Sequence, residues 1–143
     1  TKDEILDAVI ARRRATTCAM LQDWEKAGET PRERIRCYIE IMTRNRAKIK
    51  KYGCPVGTLT SELAKLSHPA LGDANGIFIV LREWLRGQFE ALGREKDADD
   101  FAMHVLARSQ GIATLASAFR DEKFIRKEVD DLCDWLDAVA EGH

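Results

Sequence analysis

The sequence predicts an all-α fold, a six-helix antiparallel bundle in one domain spanning residues 1–143. Three observations predict it. Apolar residues recur at the i, i+3/i+4, i+7 spacing of amphipathic helices, and no stretch shows the period of two that a half-buried strand requires. Glycine and proline concentrate at a few punctuation points, above all Gly53-Cys54-Pro55-Val56-Gly57, where left-handed backbone and a fixed φ stop one helix and start another. The 143 residues are 45% hydrophobic and 33% charged, enough for one core under an ordinary charged surface.

The first helix runs from about Lys2 to Lys26, with Ile5, Leu6, Val9 and Ile10, then Cys18, Met20, Leu21 and Trp24, on its apolar side. Arg12-Arg13-Arg14 interrupts that stripe and reads as a solvated turn. Gly28-Glu29 ends the helix. Thr30-Pro31-Arg32-Glu33 opens the second, with Thr30 as N-cap, Pro31 at the first helical position and Glu33 closing a capping box. Ile35, Tyr38, Ile39, Met42 and Ile49 form its buried face. Lys48, Lys50 and Lys51 sit at its C-terminus, where the helix dipole favours cations.

After the Gly-Cys-Pro bend a short helix covers Leu59 to Leu66, closed by Ser67-His68-Pro69. A long helix follows, Pro69 to about Leu92, with the most aromatic face of the chain: Ile77, Phe78, Leu81, Trp84, Leu85 and Phe89. Gly72 and Gly76 each cost it roughly 1 kcal/mol against alanine, which suits a close approach or a loosened turn. Gly93 supplies a stop. Asp97 is expected to cap the fifth helix, with Asp99 and Asp100 in its first turn. That helix pairs an apolar stripe (Phe101, Val105, Ile112, Leu115, Phe119) with small residues (Ala107, Ser109, Gly111, Ala113, Ser117, Ala118). The sixth covers about Phe124 to Ala140.

Composition narrows the function. Net charge is −1 and the sequence pI about 6.3, so the chain as a whole lacks the basic balance of a nucleic-acid-binding domain. The longest apolar run is far too short to span a membrane, and no signal-peptide pattern is present. The four cysteines (Cys18, Cys37, Cys54, Cys133) form no Cys-x-x-Cys, which suits reduced thiols in a cytoplasmic setting and argues against zinc. No nucleophile elbow, P-loop or His-Glu-x-x-His occurs, and His68, His104 and His143 do not pair at helical spacing, so neither catalysis nor a metal or cofactor is expected.

A ligand pocket between helices suits the residues better. Trp24, Tyr38, Met42, Phe78, Leu81, Trp84, Phe89 and Met103 are candidate walls, with Tyr38, Arg46, His104 and Gln110 as candidate polar contacts. Each aromatic also fits plain core. Cys54, in its bend, is either an oxidisable thiol or a small packing residue. The last two helices carry apolar or small residues over more than one stripe, as helices of an isologous four-helix dimer contact do. Ser109, Ile112, Ala113, Ala116, Leu132, Trp135, Leu136 and Val139 are the expected contact.

Gly53-Cys54-Pro55-x-Gly57-x-Leu59-x-x-Glu62-Leu63, between a basic amphipathic helix and an apolar one, resembles the effector-binding domain of TetR-family (AcrR-like) transcriptional regulators. Thr1-Lys2-Asp3-Glu4-Ile5-Leu6 resembles the segment after that family's recognition helix, and Gln110-Gly111 fits its penultimate helix. The resemblance implies a homodimeric repressor that reaches operator DNA only through an N-terminal helix-turn-helix, which these residues do not include, and the aromatic candidate walls suit a small apolar or aromatic inducer that shifts the helices and releases DNA. Residues 1–15 would link that head to the body, leaving Ile5, Leu6 and Val9 more exposed than their type suggests. Two other readings stay open: a dimerisation or interaction module without a small-molecule ligand, and a redox or electrophile sensor acting through Cys54.

Overall fold

The computed structural model describes Thr1–Gly142, and these residues form an all-α bundle without strands. His143 lies outside the described residues. The helices are α1 (Lys2–Ala27), α2 (Pro31–Arg44), α3 (Arg46–Tyr52), α4 (Pro55–Lys65), α5 (Leu71–Ala91), α6 (Ala98–Phe119) and α7 (Glu122–Ala140), with a 3₁₀ turn at Glu95–Asp97. The second of the six expected helices carries a one-residue turn at Asn45, so it is numbered as α2 and α3. Its hydrogen bonding continues across that turn, from Asn45 N to Ile41 O (2.9 Å) and from Ile49 N to Asn45 O (2.9 Å).

The helix ends explain the boundaries. Thr30 accepts from Glu33 N at 3.2 Å, as a cap should. The expected capping box is displaced by one residue: Glu33 Oε2 accepts from Glu29 N at 2.7 Å. Gly53 (φ 73°, ψ −160°) takes a conformation open essentially to glycine alone. The next helix starts at Pro55, earlier than Leu59, because Pro55 serves as its first residue and Cys54 O accepts from Thr58 N at 2.9 Å. α4 and α5 end in matching motifs: left-handed Ser67 and Gly93 are each followed by an amide that reaches back into the helix, His68 N to Leu63 O and Arg94 N to Phe89 O. Asp97 makes no side-chain cap, and Asp99 instead forks onto Arg82 of α5 at 2.6 and 2.8 Å.

The apolar faces meet in two clusters. The main core gathers Trp24, Ile35, Ile39, Leu85, Phe89, Val105, Ile125, Leu132 and Leu136 from α1, α2, α5, α6 and α7. Burying each such side chain contributes about 1.5–3 kcal/mol. A smaller cluster of Ile10, Val56, Leu63, Ala70, Ala74 and Ile77 joins α4 to α1 and the start of α5, with Leu6 packed on its rim. Ile5 and Val9 are 66% and 47% exposed. Arg12, Arg13 and Arg14 are exposed, and a Cβ on Gly76 would lie 3.2 Å from Arg14 Nη1, so the missing side chain leaves room for that guanidinium over α5. No helix among the described residues is long and apolar enough to cross a membrane.

Candidate functional site

The bend between α3 and α4 builds a candidate site that joins two of the sequence candidates. Gly53 turns the chain back, and Cys54, at the N-cap, makes no cap hydrogen bond with its side chain. Its sulfur is therefore free to face α6, where Gln110 Nε2 donates to Sγ at 3.3 Å. Gly57 is needed for this approach, because a Cβ there would collide with Gln110 Oε1. The result is a cleft of about 240 Å³ between α4 and α6. Tyr52, Gly53, Cys54, Gly57, Thr58, Ser61 and Glu62 line one side, and Gln110, Thr114 and Ser117 the other. Hydroxyls, an amide and a thiol dominate, so the cleft suits a small hydrogen-bonding molecule.

Behind it, Ser109 Oγ donates to Leu106 O at 2.8 Å. That leaves the Tyr38 hydroxyl, 3.3 Å from Ser109 Oγ, as donor to it. Burial pushes the Tyr38 phenol up to about 12. Tyr38 is thus a neutral structural link between α2 and α6.

A larger concavity of about 560 Å³ lies between α2 and α7, walled by Arg36, Glu40, Thr43, Arg44, Asp130 and Asp134 over Val129 and Cys133. Arg36 is already forked onto Asp137 at 2.9 and 3.0 Å. Burial pushes the Cys133 thiol up to about 11, despite Arg36 nearby. None of the residues singled out in the sequence as effector contacts lies there.

The sequence candidates scatter. Cys54 and Gln110 come together across the α4–α6 cleft. Trp24, Tyr38, Met42, Leu81 and Phe89 are buried core, and their rings fill the space between them. Trp24 meets Tyr38 at 5.6 Å and Trp84 at 5.7 Å, and Phe89 meets Phe101 at 5.5 Å. Trp84 Nε1 and Gln88 Nε2 both donate to Glu25 Oε1, at 3.0 and 2.6 Å, tying α5 to α1. Phe78 is half-buried between the two clusters. Arg46 spans the Asn45 turn by donating to Thr43 O at 2.9 Å. His104 stacks on Trp135 at 4.4 Å, and burial together with Arg108 pulls its pKa below the ordinary value. Met103 points outward.

The expected dimer contact needs correcting. Ser109, Ile112, Ala113, Ala116, Leu132, Leu136 and Val139 are buried in the chain's own core, and of the eight only Trp135 reaches the surface. The strongest apolar stripes of α6 and α7 face inward, as burial energetics demand. The outward face of the α6–α7 hairpin carries Met103, Ala107, Gly111, Leu115 and Ala118 instead. Met103 and Leu115 are 39% and 45% exposed, and Phe119 at the hairpin tip is 76% exposed. The seam within the hairpin is closed by Arg108 Nη2 on Glu128 Oε2 at 2.7 Å.

The hydroxyl wall of the cleft was missed in the sequence. Its signal was present: Gln110, Thr114 and Ser117 repeat at four and three residues, a polar stripe on an otherwise apolar helix. No group of three His, Cys, Asp or Glu that could hold a metal occurs among the described residues. No family model matches the chain, and no curated protein sequence matches it.

Proposed function

We propose that this chain is the dimerising, effector-responsive body of a TetR-type transcriptional repressor, with operator DNA contacted through a separate helix-turn-helix joined to α1. The observation that carries the reading is the outward face of α6, where Ala107, Gly111 and Ala118 alternate with Met103 and Leu115. Small residues let a second copy of the same hairpin approach closely, and a two-fold axis makes such a face self-complementary. The Gly-Cys-Pro bend and the exposed Ile5 and Val9 at the start of α1 support the same reading.

The effector then belongs in the cleft of Cys54 and Gln110. A small polar molecule there would displace Gln110 and load α4, which packs on α1 through Val56, Leu63 and Ile10. It releases DNA only if it binds one arrangement of α1 more tightly than the other. Cys54 is also where an electrophile would act if the signal is chemical. One observation favours a module without a small-molecule ligand: the aromatic centre of the bundle is filled by its own rings.

Gly111→Glu tests the dimer directly. Nothing lies within 4 Å of a Cβ at Gly111, so the variant keeps its fold while placing two charges across the two-fold. Light scattering is expected to give a dimer for the unaltered chain and a monomer for the variant, with equal helicity by circular dichroism. A monomeric unaltered chain would overturn the reading.

A further inference from the structure

We propose that the α3–α7 rim of this domain grips the phosphate backbone of duplex DNA, independently of any base-reading head. The inference rests on the regulator reading for its choice of polyanion, and on charge placement for the rest. The chain is nearly neutral, yet five of the eight residues from Arg44 to Lys51 are Lys or Arg, and no acidic residue occurs from Ile41 to Ser61. Arg44, Lys48 and Lys51 follow one another at four and three residues along helix bonding that continues through Asn45, and all three are exposed. They therefore form one row, spanning about 10 Å at 1.5 Å per residue.

The start of α7 extends that row. Arg120 Nη1 donates to Lys50 O and Lys51 O at 3.0 and 2.9 Å, and Lys50 Nζ reaches Glu122 at 3.8 Å, which clamps the α6–α7 turn onto the end of α3. Exposed Lys123 and Arg126 follow, and Arg44 shares a cleft with Val129 and Asp130, one turn beyond Arg126. Arg44, Lys48, Lys51, Lys123 and Arg126 enter no ion pair among the described residues. The neighbouring carboxylates are Asp121, Glu122, already engaged by Lys50, and, in the cleft at the Arg44 end, Asp130, Asp134 and Glu40, the last of which faces Arg36 at 3.8 Å.

The chemistry fits a rod of phosphates better than a lipid surface. Within the row an exposed apolar side chain is Tyr52, whose ring lies under Lys51 Nζ at 5.2 Å. Phe119 sits on the hairpin tip beside Arg120, so the row is flanked by two exposed aromatic side chains and carries no continuous apolar face of the kind that lies in a lipid interface. Rigid helices carrying cations at one-turn intervals, with little apolar area, match backbone contact that reads no sequence. The rim also adjoins the first turn of α4, whose cluster holds the start of α1, so rim and head would sit at the same end of the bundle.

The test is fluorescence anisotropy of a labelled duplex of arbitrary sequence with the 143-residue chain, titrated at several salt concentrations. Binding is expected to weaken with salt at a log–log slope of about −3 to −4, from some four phosphates at about −0.9 each. Lys48→Gln/Lys51→Gln/Arg126→Gln should weaken it by roughly tenfold or more at about 0.1 M salt. Lys96→Gln, on an exposed cation at the opposite end of α6 from Arg120, should leave it unchanged. Absent duplex binding, a triple variant that binds like the unaltered chain, or capture by phosphatidylserine vesicles in place of duplex would each overturn the proposal. Light scattering on the same samples separates the two levels: a dimer that ignores duplex sinks the rim alone, whereas a monomer sinks the regulator reading beneath it.

Discussion

Gly57→Ala is expected to uncover Cys54 while leaving α4 intact. Gly57 lies in the first turn of α4 without a positive φ, so alanine fits its backbone. The new Cβ would meet the Gln110 side chain, colliding with Oε1 and lying 3.4 Å from Cδ, and would sit 3.8 Å from Cys54 Cβ. The last is ordinary contact, so only the flexible end of Gln110 has to move. Its rotation breaks the 3.3 Å contact from Nε2 to Cys54 Sγ. An amide–sulfur hydrogen bond at a half-buried site contributes about 0.5–1 kcal/mol. Replacing glycine by alanine returns up to about 1 kcal/mol within a helix, less in its first turn. Stability should therefore stay within roughly 1 kcal/mol of the unaltered chain, a shift of a few degrees at most in Tm. A sulfur released from a 0.5–1 kcal/mol contact should react roughly 2–5-fold faster. The assay is iodoacetamide labelling followed by peptide mass spectrometry. Cys133 is the slow internal reference, since burial pushes its thiol up to about 11. Gln110→Ala should accelerate Cys54 to a similar extent by removing the same cover. Unchanged labelling in both variants would refute Gln110 as that cover, and a loss of more than about 2 kcal/mol in Gly57→Ala would refute the claim that only a side-chain tip stands in the way.

Two further outcomes follow from the core and the hairpin tip. Tyr38 has its folded pKa pushed above the ordinary 10.0 to about 12, so the unfolded chain releases this proton first as pH rises. Its contribution is full below pH 10 and is lost between 10 and 12, by roughly 3 kcal/mol. Tyr38→Phe should lack that increment of alkaline loss in urea titrations at about pH 9 and pH 11.5, and an equal fall in both proteins would refute it. Arg120 holds a left-handed φ of 53° while clamping the end of α3. Arg120→Ala loses the clamp and keeps the strain, whereas Arg120→Gly loses the clamp and relieves it. Thermal unfolding should thus find the glycine variant more stable by about 1 kcal/mol, and equal stabilities would show that the turn is unstrained.

Much of the architecture was legible because it rests on local rules. Thr30 with Pro31 marked one helix start, Gly53 with Pro55 marked a break, and Gly93 marked a stop, each through backbone chemistry contained within a few residues. Asn45 was not legible, because its turn keeps the i→i−4 bonding on both sides and leaves the apolar period undisturbed. Asp97 makes no side-chain cap and lies 3.9 Å from Arg94 Nη2, while Asp99, expected in the first turn, is engaged by Arg82 seventeen residues away, a contact only the tertiary fold shows. The residues expected at a dimer contact on α6 and α7 are the most apolar stripes of these helices, and those are buried within the chain's own core. In a single chain that stripe goes inside, and the face left exposed on α6 is the one with Ala107, Gly111 and Ala118. The cleft was half legible. Cys54 and Gln110 stood out, but only the fold shows that they touch, and that Gly57 matters for the space it leaves.

The position of α4 links these features. It is an 11-residue helix, about 16 Å long, bounded by two left-handed residues, Gly53 (φ 73°) and Ser67 (φ 49°). Val56 and Leu63 turn toward α1 and α5, while Gly57 and Ser61 turn toward α6. α4 therefore stands between the helix that would carry a DNA head and the helix that would carry the dimer contact. Its own cluster has six buried residues, against twenty-three in the main core. Displacing α4 consequently disturbs far less apolar contact than moving any helix of the main core, and local opening is cheapest where such contact is sparsest. A molecule wedged between Cys54 and Gln110 would act on that weak joint from one side and find Leu6 and Ile10 of α1 on the other. Coupling of the two sites then needs no long pathway, only a short helix with two stable seats and a ligand that prefers one of them.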